Sequence, residues 1–162
     1  MNYKIIKTDH STNFESIKEL YYQTWTFSYA DLVPQDFLNQ LDKSIWHPEK
    51  RWNNTLIAVT PDNQIIGVCS YGPARKKQYI GYGEIYSLYI LPHYQHLGIG
   101  QKLFQSVLTI LEQEYKKIYL IVLKNNLAAQ GFYEKFDFQR LNILLKDTTD
   151  YGTLLETIMI KE

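Results

Sequence analysis

Residues Glu84–Leu108, EIYSLYILPHYQHLGIGQKLFQSVL, constrain this chain more than any other stretch. An apolar, strand-like run ends at Pro92, a Gly98-Ile99-Gly100 corner follows, and polar and apolar residues then separate at helical spacing. Leu103, Phe104, Val107, Leu108, Leu111 and Tyr115 form one wide stripe, and Gln101, Lys102, Gln105, Glu112 and Gln113 take the other side. The pattern predicts a helix over about 98–115, packed on a sheet. Ile118–Leu123 (IYLIVL) is nearly continuous in apolar character, as in a central strand covered on both faces. Strand, helix and strand in this order form a crossover that should be parallel and right-handed. At the corner the glycines remove Cβ atoms where a backbone must approach something closely. A helix beginning there has unpaired N–H groups and the positive end of its dipole, so it is an anion site suited to a phosphate or pyrophosphate.

The rest of the chain reads as further strands and helices of one domain spanning 1–162. Tyr3–Lys7 is a short first strand. Ser11 or Thr12 can cap a helix carrying Phe14, Ile17, Leu20 and Tyr21, and an aromatic segment, 22–29, follows it. Pro34 opens a second short helix. Thr55–Thr60 and Gln64–Tyr71 flank Pro61-Asp62-Asn63, which is hairpin chemistry. Asn125 or Asn126 caps a helix to about Lys135, and two strands, Phe138–Leu145 and Tyr151–Ile160, close the chain across the polar turn Lys146–Asp150. The order describes a mixed α/β sheet with helices on both faces.

Lys+Arg and Asp+Glu are both 17, so no global charge calls for nucleic acid or a membrane surface as partner. Any charge that binds phosphate must be local. The single Cys69 excludes an internal disulfide framework and reads as a small buried strand residue. No apolar run approaches the roughly 18–20 residues of a membrane span, and MNYKIIKTDH lacks a signal-peptide core, so the expectation is a cytoplasmic protein.

A phosphate loop of the GxxxxGK[ST] kind fails, because Gln101-Lys102 follows Gly100 with no hydroxyl for magnesium. A dinucleotide fingerprint fails at Leu103, where a third glycine is required. The run Leu88-Tyr89-Ile90-Leu91-Pro92 with Gln95-His96-Leu97-Gly98-Ile99-Gly100 instead closely resembles the acetyl-coenzyme A signature of the GCN5-related N-acetyltransferases, Gln/Arg-x-x-Gly-x-Gly/Ala. Asn126 to Phe138 (NLAAQGFYEKFDF) resembles that family's second signature, at the right distance, with Asp137 where glycine is usual. Asp tolerates φ > 0 less well than glycine, which bears on local stability rather than function.

The resemblance implies a mostly antiparallel sheet of about seven strands. It also implies acetyl-CoA as co-substrate, with no metal, and direct acetyl transfer in a ternary complex to a primary amine of a small molecule or peptide. By the same resemblance Leu88, Tyr89, Ile90, Gln95, His96, Leu97, Gly98, Ile99, Gly100, Gln101, Lys102, Asn126 and Tyr133 hold the cofactor. Leu88 to Ile90 would be a bulged segment whose N–H groups stabilise an oxyanion. Tyr133 would return a proton to the departing sulfur, which suits a phenol that keeps its proton at neutral pH. Asn126 would bind the pantetheine arm while capping its helix. Glu84, the only carboxylate on its strand, is either a general base, directly or through water, or an exposed residue at the strand start. Trp25, Tyr29, Trp46, Trp52 and Tyr71 would form an aromatic wall for the protonated amine, or serve as core or as the surface of a homodimer. Asp31 and Glu49 could bind a cation, with solvated surface as the default reading. A non-catalytic acyl-CoA-binding or regulatory module on the same fold, and a phosphate-binding domain unrelated to coenzyme A, remain open alternatives.

Overall fold

The computed structural model describes residues 1–162. Strands β1 (Lys4–Lys7), β2 (Thr55–Val59), β3 (Ile65–Pro73), β4 (Gly83–Ile90), β5 (Ile118–Leu123), β6 (Gln139–Arg140), β7 (Leu145–Thr149) and β8 (Gly152–Lys161) form one sheet. The order is β1-β2-β3-β4-β5-β8-β6, with β7 also paired to β8. Helices α1 (Phe14–Gln23), α2 (Gln35–Asn39), α3 (Ile99–Glu112) and α4 (Leu127–Glu134) cover it. Every neighbouring pair is antiparallel except β4 and β5, the two arms of the crossover, which are parallel.

Two details differ from the sequence-based expectation. Asn13 caps α1, its side chain accepting from the Ser16 N–H at 3.2 Å, in place of Ser11 or Thr12. The stretch 146–150 is not a turn: Leu145–Thr149 pairs with Gly152–Glu156, and the chain reverses at Asp150-Tyr151. The β-branched Thr148 and Thr149 fit a pleated strand despite the charges before them. The expected strand Phe138–Leu145 is thereby split into β6 and β7.

Alternation along the strands divides the core into two layers. On one face Cys69, Tyr71, Ile85, Leu120 and Val122 pack under the apolar stripe of α3, with Phe104 at the centre, completely buried. The rings of Phe132, Phe136 and Phe138 lie 5.6, 4.8 and 5.8 Å from that of Phe104, which locks α4 and the segment after it onto α3. On the other face Ile17, Leu20 and Tyr21 of α1 pack against Ile57, Val59 and Val68. Asp137 adopts the left-handed conformation (φ 69°) that the glycine usual at its position would take without strain.

Replacing Phe104 by Ala should cost about 3–5 kcal/mol of unfolding free energy, the range for a buried aromatic in a packed core. Urea denaturation measures it, and a loss below about 1 kcal/mol would contradict the central place given to this ring.

Candidate active site

The site begins where β4 and β5 part. They pair only through Gly83–Ile118, Glu84–Tyr119 and Ile85–Leu120, and beyond Ile85 no residue of β4 has a partner on β5. On its other edge β4 stays paired with β3 to Ile90, but the register skips Tyr86, passing from Tyr71–Ile85 to Ser70–Ser87. That extra residue is a bulge, and bulges sharpen the local twist. The bulge therefore lies at Tyr86, upstream of the Leu88–Ile90 segment expected to carry it.

The main chain of Leu88 and Ile90 nevertheless faces the opening. The Leu91 N–H bonds the Ile66 carbonyl at 2.9 Å, and Tyr89 and Ser87 pair with Val68 and Ser70 in the same phase. Antiparallel alternation then turns the N–H and C=O groups of Leu88 and Ile90 away from β3 and into the gap. Gln95 Nε2 donates to the Ile90 carbonyl from that side at 3.1 Å, and to Ser28 Oγ at 3.0 Å. Gln95 thus ties the end of β4 to the aromatic segment.

Beside the gap the chain enters α3 with its glycine corner. Gly98 is the N-cap at φ 84°, a left-handed conformation costly for residues with a Cβ, and no side chain caps the helix. His96 is left-handed as well, at φ 63°. The first-turn N–H groups of α3 are left for a ligand, at the positive end of the dipole. A cavity of about 580 Å3 runs from this corner to the gap; Gln95, His96, Gly98, Gly100 and Gln101 line one end, and Leu88, Tyr89, Ile90, Asn126 and Tyr133 the other. Anion-binding amides at one end and unpaired strand amides at the other suit a long ligand with a pyrophosphate and a carbonyl, as coenzyme A thioesters have. Leu97, Ile99 and Lys102 fall outside this lining. Leu97 is exposed, Ile99 is buried in the core, and the Lys102 ammonium lies over the Tyr3 ring, 5.8 Å from its centre.

A second cavity, of about 600 Å3, lies where β4 and β5 part, between the Trp25–Tyr29 segment and Lys146, Asp147 and Glu156. The two share Tyr29, Leu88, Tyr89, Asn126, Ala129 and Tyr133. Asn126 caps α4, its side chain accepting from the Ala129 N–H at 3.2 Å. Burial pushes the Tyr133 phenol well above its ordinary pKa, with the neighbouring Cys69 and Tyr89 adding to the rise, so it keeps its proton at neutral pH. Cys69 is itself buried in the core, and burial raises its thiol pKa too.

Trp25 and Tyr29 line the second cavity, presented by a π-helical turn over Thr24–Ser28. The turn is marked by a Tyr29 N–H to Thr24 carbonyl bond of 3.1 Å. Thr24 and Thr26 hydroxyls donate to the carbonyls of Leu20 and Tyr22 at 2.9 and 2.7 Å, a local competition that loosens α-helical geometry. The remaining aromatics of the expected wall lie elsewhere. Tyr71 is buried on the opposite face of β3, under α3. Trp46 packs edge-on against Tyr21, and Trp52 stacks on His10. Asp31 and Glu49 are exposed, as expected for solvated surface.

Glu84 sits where the gap closes, fully buried rather than exposed. The Arg75 N–H donates to Oε1 at 2.9 Å, Arg75 Nε and Nη2 donate to Oε2 at 3.1 and 2.6 Å, and the Tyr119 hydroxyl also donates to Oε1. Both carboxylate oxygens are therefore bonded, Oε2 by two guanidinium N–H groups, and neither is left open to an incoming amine in this arrangement. Arg75 and Tyr119 escaped the sequence reading. The signal available was a run of cations, Arg75-Lys76-Lys77, across one turn from a lone carboxylate.

A sequence model described as the acetyltransferase (GNAT) family matches residues 14–138, and the chain belongs to that family. An uncharacterized N-acetyltransferase YuaI of Bacillus subtilis (strain 168) is 24% identical over 135 residues, 80% of this chain and 76% of its own length. A probable spermine N(1)-acetyltransferase of Bacillus subtilis subsp. natto is 38% identical over 76 residues, 46% of this chain and 45% of its own. The PaiA N-acetyltransferase of Thermoplasma acidophilum, solved in complex with coenzyme A, shares the fold at a TM-score of 0.76 and 22% identity, covering 100% of this chain and 99% of that one.

Glu84→Gln should destabilise the protein by about 1–3 kcal/mol, since Arg75 loses its partner but reaches water. The acetyl-transfer rate should keep the shape of its pH profile. An unchanged melting temperature together with loss of the acidic limb, where a general base would become protonated, would instead make Glu84 the base.

Proposed function

We propose that the protein transfers an acetyl group from acetyl-CoA directly to a primary amine of a small molecule or peptide, with both substrates bound together. The meeting of the two cavities at Leu88, Asn126 and Tyr133 carries this reading. Acetyl-CoA would supply an acetyl group activated as a thioester. The α3 corner would hold its pyrophosphate, and Asn126 its pantetheine arm. The Leu88 and Ile90 N–H groups would polarise the carbonyl from a fixed strand, at no reorganisation cost. Tyr133 would donate a proton to the sulfur. The only cysteine lies in the core, so the junction offers no thiol for a covalent detour, which supports direct transfer.

We assign Glu84 a positioning role: it holds Arg75 and Tyr119 at the floor of the acceptor cavity, and a water takes the proton of the amine. The probable spermine acetyltransferase among the relatives supports an amine acceptor, although that similarity spans 46% of this chain.

The test follows release of free coenzyme A across a panel of amines. Tyr133→Phe should lower kcat on the order of a hundredfold, as loss of a general acid does, with little change in coenzyme A affinity. Unchanged turnover would remove Tyr133 as the acid. Coenzyme A binding without transfer to any amine would favour a non-catalytic module.

A further inference from the structure

The acceptor cavity holds a carboxylate that the chemistry above does not use. Glu156 lies in the middle of β8, opposite Leu123 of β5 and Leu145 of β7. It is half-buried on the cavity wall, and no hydrogen bond or ion pair reaches it. Glu84, on the same wall, has both oxygens engaged. The charged side chains around Glu156 are Lys146 and Asp147 on β7, and Arg75 and Lys76 of the loop after β3. Arg75 is committed to Glu84, and Lys76 and Lys146 make no ion pair with any carboxylate. Burial, and then repulsion from Asp147, raise the Glu156 pKa against the weaker pull of Lys76 and Arg75, so at neutral pH its ionisation opposes folding. A strand-centre carboxylate kept without a partner is costly in a folded chain and is a common mark of a ligand site.

Its place fits a ligand that also reaches the junction. Leu123, its register partner, accepts from the Asn126 N–H at 3.0 Å, and Asn126 lines both cavities. Trp25 and Tyr29 line the same space and can face a cation. Trp25 Nε1 and Ser87 Oγ also belong to this wall, each beside a tyrosine hydroxyl, that of Tyr89 and that of Tyr21.

We propose that Glu156 is a specificity-determining residue that binds a distal ammonium of the acceptor, so that the preferred acceptor is a linear amine with two or more cationic nitrogens. This rests on the acetyl-transfer reading. One nitrogen enters the junction beside Tyr133, and another is held on the β8 side of the cavity by the carboxylate.

Calorimetric titration of spermidine and of n-butylamine into the coenzyme A-loaded protein tests it. Spermidine should bind more tightly than the monoamine, and Glu156→Gln should weaken spermidine binding about tenfold, the loss of one charge-assisted contact. Glu156→Asp should retain most of the affinity. Coenzyme A affinity should hold in Glu156→Gln, and its melting temperature should be unchanged or higher, because a poorly solvated charge has been removed. Equal spermidine affinity in wild type and Glu156→Gln, absence of spermidine binding, or a parallel loss for both amines would overturn the assignment. Wild-type protein that fails to bind coenzyme A at all would overturn the acetyl-transfer reading, and this proposal with it.

Discussion

Everything functional in this protein depends on two parallel strands that stop pairing. After Ile85–Leu120 the sheet has no ladder between β4 and β5, although both strands continue. An interior strand that leaves main-chain groups unpaired forfeits about 1 kcal/mol per bond, and more where water cannot replace the partner. The surrounding structure holds the gap open regardless. The Tyr86 bulge turns β4, α3 braces one face of the sheet, and Gln95 fastens the end of β4 to Ser28. The outcome is a slot whose walls carry oriented N–H groups before any ligand arrives, the preorganisation that acyl transfer needs.

The gap also connects the two sides of the sheet. The two cavities meet there, sharing Tyr29, Leu88, Asn126 and Tyr133, and in the proposed reaction the two substrates would approach one another through this opening. Two carboxylates on the acceptor side have contrasting surroundings. Glu84, buried and fully bonded, is structural chemistry at the point where the gap closes. Glu156, without a partner, is placed against stability. The difference in environment, rather than in residue type, separates a floor from a binding group.

Much of this was legible in the sequence because its signals were local. The α3 stripe, the glycine corner and the IYLIVL strand define the crossover, and Asn126 is both cap and cavity residue, as its motif implies. What stayed hidden depends on tertiary contacts. Tyr71 looked eligible for the acceptor wall because β3 is apolar on both faces, which erases the period-two signal for facing. The Tyr86 bulge leaves no compositional mark. The strand 145–149 was concealed by Lys146 and Asp147, which suit an exposed ribbon as well as a turn. Arg75 and Glu156 could have been noticed: one is a cation across a turn from a lone carboxylate, and the other is a single charge between the apolar residues of LLETIMI.

Residue-resolved amide hydrogen exchange by NMR, with and without coenzyme A thioester, tests the open strand pair most directly. In the free protein Leu88 and Ile90 should exchange faster than Tyr89 and Leu91, whose N–H groups bond β3. Saturating acetyl-CoA should slow Leu88 and Ile90 selectively. Binding of acetyl-CoA that leaves both amides at their free-protein rates, or equal protection of all four residues beforehand, would contradict the account.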